Sequence, residues 1–337
     1  MSEDGRQRQL TLWLRQVRGE AVSPPEAIFA DASFRRYFRY HLGNRTEVAM
    51  DAPPPQEDCR PFVAITRAYQ EAGLPVPSIL AEDLQQGFLA LEDLGDTHAY
   101  QVFSGNDPEP WYRRALALLL PIARVQHTAL GPLPPYDRAL LARELDIFPQ
   151  WLLQTHLGLP LGPEWQAQWQ ALEEVLIENA LGQPQVGIHR DFHSRNLMLQ
   201  AGSLALIDYQ GALRGPITYD AVSLLRDCYL KLPEPLLQTL LEAHFEALQA
   251  QGMLTSEVSL DQFRRWFDLM GMQRHLKAAG IFARLHHRDG KSGYLADLPR
   301  VIGYLIEVGQ GYPETQPLAQ LLADRVQPAL LSKEGKG

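Results

Sequence analysis

Two aspartates and an asparagine in one short stretch, Asp191, Asn196 and Asp208, are the residues of this chain whose types and spacing suit a definite chemistry. The stretch opens with His189-Arg190-Asp191, places Asn196 five residues after the aspartate, and closes on Asp208 after an apolar run. Transfer of a phosphoryl group to a hydroxyl needs such a set. One carboxylate accepts the hydroxyl proton, while an amide oxygen and a second carboxylate hold the Mg²⁺ that offsets charge on the β- and γ-phosphates. The plain alternative is a hairpin whose ends happen to be polar.

The local pattern says how these groups would be held. Leu197-Met198-Leu199 and Leu204-Ala205-Leu206-Ile207 are short apolar runs on either side of the turn-prone Gln200-Ala201-Gly202. They predict a hairpin with Asn196 at its entry and Asp208 at its exit, on the same end. Upstream, Leu10, Trp13, Leu14 and Val17 predict an amphipathic helix over residues 6–18. Phe34, Phe38 and Tyr40 alternate with Arg35, Tyr37 and Arg39 ahead of a turn at Gly43-Asn44, a strand pattern that Arg36 interrupts. A second strand follows around Val48–Met50, then a helix carrying Phe62, Ile65, Tyr69 and Ala72. Two more strands flank Gln85-Gln86-Gly87. Beyond about residue 96 the pattern turns helical, with Pro121 expected to kink one helix. Further helices are expected from Trp165 to Leu176 and over 218–230, 234–250 and 261–287, and the last residues read as a frayed tail.

Composition narrows the setting. A net charge of −9 argues against broad nucleic-acid binding, which needs a basic footprint. The two cysteines, Cys59 and Cys228, have no paired spacing, so neither a disulfide framework nor a structural zinc site is expected. No long apolar run and no signal-peptide core appear, which predicts a soluble, reduced, cytoplasmic protein with no membrane association.

Together with Leu91-Glu92-Asp93-Leu94-Gly95, the 189–208 stretch resembles the aminoglycoside phosphotransferase and choline kinase family of small-molecule kinases. Further segments resemble one branch of it, the anomeric amino-sugar kinases that phosphorylate N-acetylmuramate and N-acetylglucosamine at C1 in peptidoglycan recycling. These are Asp31–Arg39, Met50–Pro54, Ile207–Gly211 and Gln273–Lys277. The resemblance implies an α+β, bilobal, protein-kinase-like fold: a β-rich nucleotide-binding lobe over 1–95, hinge included, and a helical lobe over 96–337. It implies ATP and Mg²⁺ as cofactors and a small-molecule amino sugar as substrate, with no protein partner. It makes Asp191 the catalytic base, Asn196 and Asp208 the Mg²⁺ ligands, and the backbone near Glu92 and Leu94 the adenine contact.

Two departures from the family pattern matter. The phosphate loop lacks Gly-x-Gly and offers Ala30, Ala32, Ser33 and Phe34 instead. The strand ending Val48-Ala49-Met50-Asp51 has no lysine to grip phosphate, so Arg35, Arg36 or Arg39 must stand in, with Arg36 favoured by its parity. For substrate, Arg274 and Lys277 fall on the same face of the 261–287 helix as Phe263, Phe267, Met270 and Ile281. Buried charges need partners, so this face meets an anionic ligand or a core carboxylate. His193, Glu144 and Asp146 are the remaining candidates for sugar contact; a capping role for His193 and an ordinary amphipathic helix for the acids explain them as well. Two other functions stay open at this point: a kinase for cationic aminoglycosides or choline, and a nucleotide-binding pseudokinase.

Overall fold

The computed structural model describes residues 3–30 and 34–334, and the chain packs as two units. One comprises Met1–Ala99, His127–Pro132 and Arg195–Gly211; the other comprises Tyr100–Gln126, Leu133–Ser194 and Ala212–Gly337. The chain passes from one to the other between Ser194 and Arg195, inside the motif that carries the candidate chemistry.

The first unit is built on five antiparallel strands, β1 (Glu26–Ala30), β2 (Arg36–Leu42), β3 (Arg45–Asp51), β4 (Ile79–Asp83) and β5 (Phe88–Glu92), in the order β1-β2-β3-β5-β4. Alternation along β2 buries Phe38 and Tyr40. Gly43, at φ 64°, supplies the left-handed turn into β3, with Leu42 paired to Arg45. The edge strand β1 was not expected, because Glu26–Ala30 has no clean apolar alternation. Helix Glu3–Arg18 packs Leu10, Trp13 and Leu14 against Phe38, Tyr40 and Phe88. Val17, expected on that face, is largely exposed instead. Phe34 lies before β2 and is 67% exposed, so it does not extend the strand's buried face. Helix Arg60–Glu71 buries Phe62, Ile65 and Tyr69, and Phe62 stacks on Tyr209 with ring centres 5.3 Å apart. The expected hairpin forms from Leu197–Gln200 and Ser203–Leu206, joined by Ala201 and Gly202, both at positive φ.

The second unit is mostly helical. Helix Glu109–Arg124 runs through Pro121, and helix Pro163–Leu181 covers the Trp165–Leu176 expectation. The helix expected over 218–230 stops at Leu225, because Asp227 turns its carboxylate to the backbone N–H of Ser194 and Tyr229. Arg138–Ile147 continues as a π-helix over Phe148–His156. Helix Leu260–Asp289 crosses it where residue 280 is glycine: a Cβ there would lie 2.6 Å from the Ile147 carbonyl carbon, so no other residue permits the approach. Gly187 plays the same part for strand Gln185–Ile188, since a Cβ would meet the Val125 carbonyl oxygen at 2.1 Å. Helices Leu298–Gly309 and Gln327–Glu334 end the unit, and the tail beyond Glu334 lies outside the described residues. Among the described residues no helix is long and apolar enough to cross a membrane.

Candidate active site

In the strand-built unit the hairpin holds Asn196 and Asp208 at one end, where the Ile207 N–H donates to the Asn196 carbonyl at 3.1 Å. Asn196 Nδ2 donates to Asp208 Oδ2 at 3.3 Å, and Gln210 Nε2 donates to Oδ1 at 2.6 Å. Asp208 sits at φ 62°, a conformation costly for a residue with a Cβ and frequent at functional sites. Its exposed carboxylate and the Asn196 amide oxygen are hard oxygen donors, the kind Mg²⁺ takes.

The strand β3 ends on Asp51, which is fully buried. Arg36 Nη2 bonds one of its oxygens at 2.6 Å and Arg6 Nε bonds the other at 2.7 Å. Two guanidinium groups thus meet one carboxylate at the end of β3, a strand without a lysine. Arg6 lies 45 residues away in sequence, on the N-terminal helix, and no local pattern marked it. Of the other arginines, Arg35 approaches Glu57 at 4.0 Å, and the Phe34 N–H donates to the same carboxylate at 3.1 Å. Arg39 is spent on Asp93 and Asp96, with four bonds of 2.6–3.0 Å, and so braces the segment after β5. Glu92 accepts from the Ser78 hydroxyl at 2.9 Å, while Leu94 packs with Met198, Ala205 and Ile207 in a small apolar cluster. Ser33 lies outside the described residues.

The helical unit holds Asp191. Asp220 accepts the N–H groups of His189 and Arg190 at 2.6 and 3.0 Å, and Asp227 accepts that of Ser194 at 2.9 Å. Two buried carboxylates thus grip the backbone on both sides of Asp191, and Arg190 is held at φ 79°. Burial pushes the Asp220 carboxyl up to about 7, against the two backbone donors that favour its ionised form.

Around this loop the positive charges converge. Burial works against ionisation of Asp191, but Lys277, His193, Arg190 and Arg274 outweigh it and hold the carboxyl below the usual carboxylate range. Glu144 does not stand open to a ligand as an acceptor. It is 4% exposed and takes Arg190 Nη2 at 2.5 Å, Lys277 Nζ at 3.0 Å, the Tyr136 hydroxyl, and Gln273 Nε2 at 3.5 Å. Burial opposes its charge too, yet Lys277 and Arg190 keep it ionised. Lys277 also donates to the Tyr219 hydroxyl at 3.2 Å. Arg274 is buried with Nη1 3.4 Å from Cys228 Sγ. The His193 ring packs against Tyr229 at 5.3 Å, and Asp146 is exposed. Gln273 opens the resembling segment Gln273–Lys277, whereas Tyr136, Tyr219 and Asp227 carried no sequence signal, because only the packing of distant elements brings them here.

A family model described as "Phosphotransferase enzyme family" matches residues 26–254. The chain belongs to that phosphotransferase family. A protein of Pseudomonas aeruginosa named N-acetylmuramate/N-acetylglucosamine kinase is 44% identical over 98% of this chain and 99% of its own length. One of the same name from Neisseria meningitidis is 38% identical over 95% and 96%. Among solved structures, the choline kinase of Cryptosporidium parvum aligns with a TM-score of 0.63 at 11% identity, covering 94% of this chain and 99% of that one. At that identity the likeness speaks to fold: this phosphotransferase has the α+β, protein-kinase-like architecture that its motifs imply.

Proposed function

We propose that the chain is an ATP- and Mg²⁺-dependent kinase that phosphorylates N-acetylmuramate, and also N-acetylglucosamine, at the C1 hydroxyl, in the cytoplasmic recycling of peptidoglycan. The near-full-length kinship with kinases of that name supports the sugar. The observation that carries the reading is the charge around Asp191. A carboxylate held below its ordinary range is a weak base, and it suits the anomeric hydroxyl, which is more acidic than the other hydroxyls of a sugar.

In this reading Asp191 accepts the C1 proton while the grip of Asp220 and Asp227 keeps its loop fixed. Asn196 and Asp208 hold Mg²⁺, which when bound offsets charge on the phosphates. Arg36, with Arg6 sharing Asp51, supplies the positive charge that a lysine gives in related kinases. Backbone groups near Glu92 and Leu94 contact adenine, with Leu94 anchored by its packing on Met198 and Ala205. Arg274 attracts the lactyl carboxylate of N-acetylmuramate. Glu144 acts through Arg190 and Lys277 rather than on the sugar, since its oxygens are already taken. Lys277, Arg190 and Arg274 beside Asp191 disfavour a cationic aminoglycoside or choline, and the intact Asp191, Asn196 and Asp208 weigh against a pseudokinase.

ADP release measured across amino sugars, aminoglycosides and choline tests the substrate class. Turnover only with choline or an aminoglycoside refutes the sugar, and none with any acceptor favours the pseudokinase. Phosphorus–proton coupling in the product tests the position, and phosphate at C6 refutes the anomeric claim.

A further inference from the structure

Elsewhere in the helical unit three imidazoles meet that no step above uses. His156 ends the π-helix Phe148–His156, and His286 and His287 lie in the last turn of Leu260–Asp289. The ring centres are 4.6 Å apart for His286 and His287, 5.3 Å for His156 and His287, and 5.8 Å for His156 and His286. One nitrogen of each ring lies within 4.8 Å of those of the other two. His156 Nδ1 and His287 Nε2 are 3.1 Å apart. The contact at Gly280 brings the two helices together and so sets up this cluster.

We propose that His156, His286 and His287 form a binding site for a divalent transition-metal ion, with Zn²⁺ the fitting occupant. Imidazole nitrogen suits Zn²⁺, Ni²⁺ and Cu²⁺ rather than Mg²⁺. Nitrogens at about 2.0–2.1 Å from a tetrahedral ion stand roughly 3.3–3.4 Å from one another. The His156–His287 pair is already near that spacing, so closing the site asks mainly for rotation of His286. The Nδ1 of His286 lies 2.9 Å from the Ser292 hydroxyl. In the tautomer whose Nδ1–H donates to that hydroxyl the lone pair is on Nε2, the arrangement in which an outer partner orients a metal-bound histidine. His156 is buried and His287 exposed, so a fourth position opens to water.

The surrounding charge is compatible. Burial, then Lys333 and the other two histidines, holds His156 down to about 4, and burial with His286 and Lys333 depresses His287. The C-terminal end of a helix favours a cation. The opposing charge is Lys333, whose ammonium donates to the His156 carbonyl. A bound ion would fasten the end of the helix that carries Arg274 and Lys277 to the π-helix, about 14 Å along the helix from Lys277 at 1.5 Å per residue.

The test is calorimetric titration of the full chain, free of any affinity tag, with Zn²⁺ in excess Mg²⁺ so that hard oxygen sites are already filled. One Zn²⁺ per chain is expected. Changes to outer partners alone cost about 10–100-fold in metal affinity, so removing a ligand in His287→Ala should cost at least roughly tenfold. His286→Gln, also outside the core, should weaken binding as well. A rise in Tm on adding Zn²⁺, present in the unaltered chain and absent in His287→Ala, gives a readout apart from activity. Zn²⁺ affinity in both variants equal to that of the unaltered chain, or no binding by the unaltered chain at micromolar Zn²⁺, overturns the proposal.

Discussion

The two units neutralise buried carboxylates differently, since only the helical one pairs them with cations that are themselves inside. In the strand-built unit, Asp51 and Glu47 are buried, but their arginine partners sit at the rim: Arg6, Arg18 and Arg36 keep 14%, 18% and 23% of their side chains exposed. In the helical unit two pairs have both ends inside, Lys277 with Glu144 at 10% and 5% and Arg226 with Asp268 at 9% and 13%, and of the cations on Glu144 only Arg190, at 27%, reaches the rim. A rim arginine stays hydrated and can share its charge with an arriving phosphate. A buried lysine cannot leave its carboxylate without stranding a charge, a penalty of several kcal/mol. The first arrangement suits capture of a polyanion, and the second suits a fixed electrostatic setting for a base.

The sharpest test of this division is Asp191→Asn. Turnover should fall by about 10²–10⁴, the usual worth of a positioned base, with ATP affinity nearly unchanged in equilibrium binding. A loss of ATP affinity instead would end the assignment of chemistry to the helical unit. Next comes Glu144→Gln, which leaves Arg190 and Lys277 without their common counter-charge. We expect a loss of about 3–5 kcal/mol in urea unfolding. Arg67→Ala, which breaks a surface pair with Glu82, should cost at most about 1 kcal/mol. Similar losses for the two would erase the contrast.

Smaller effects should separate the ligands. Arg36→Ala should raise the KM for Mg-ATP by roughly tenfold or more, the worth of one charge-assisted hydrogen bond, and leave the KM for sugar alone. Arg274→Ala should penalise N-acetylmuramate over N-acetylglucosamine by about tenfold. Equal losses for both sugars would remove Arg274 from carboxylate recognition.

The subtlest prediction concerns pH. Asp191 stays ionised below the usual carboxylate range because nearby cations overcome its burial. Its contribution to stability is therefore present above its unfolded pKa and lost as pH falls through the lowered folded value. The acid limb of kcat/KM should follow the same lowered value. Lys277→Met removes the largest of those attractions and should move the limb upward. An unmoved limb would mean that another group sets it.

Local pattern carried much of this protein. The hairpin between Asn196 and Asp208, the alternation of β2 and the helices at Trp165 and Glu234 all appear where period and turn chemistry put them. Edge strand β1 and the π-helix escaped, since the one lacks alternation and the other departs from the α period. The same limit applies to the candidate site. Asp191, Asn196 and Asp208 are neighbours along the chain, so their spacing spoke directly. Arg36 was visible as a cation in a strand, but its partners were not.

What the sequence determined by itself, then, is whatever depends on neighbours: the motif, the periodicities, and the lack of a lysine in β3. Only tertiary structure could decide that Glu144 is shared by Arg190 and Lys277, that Arg6 joins Arg36 on Asp51, and that His156 meets His286 and His287. Charge and hydrogen bonding act through space over a few ångströms, and residues more than a hundred positions apart come that close only when the helices pack.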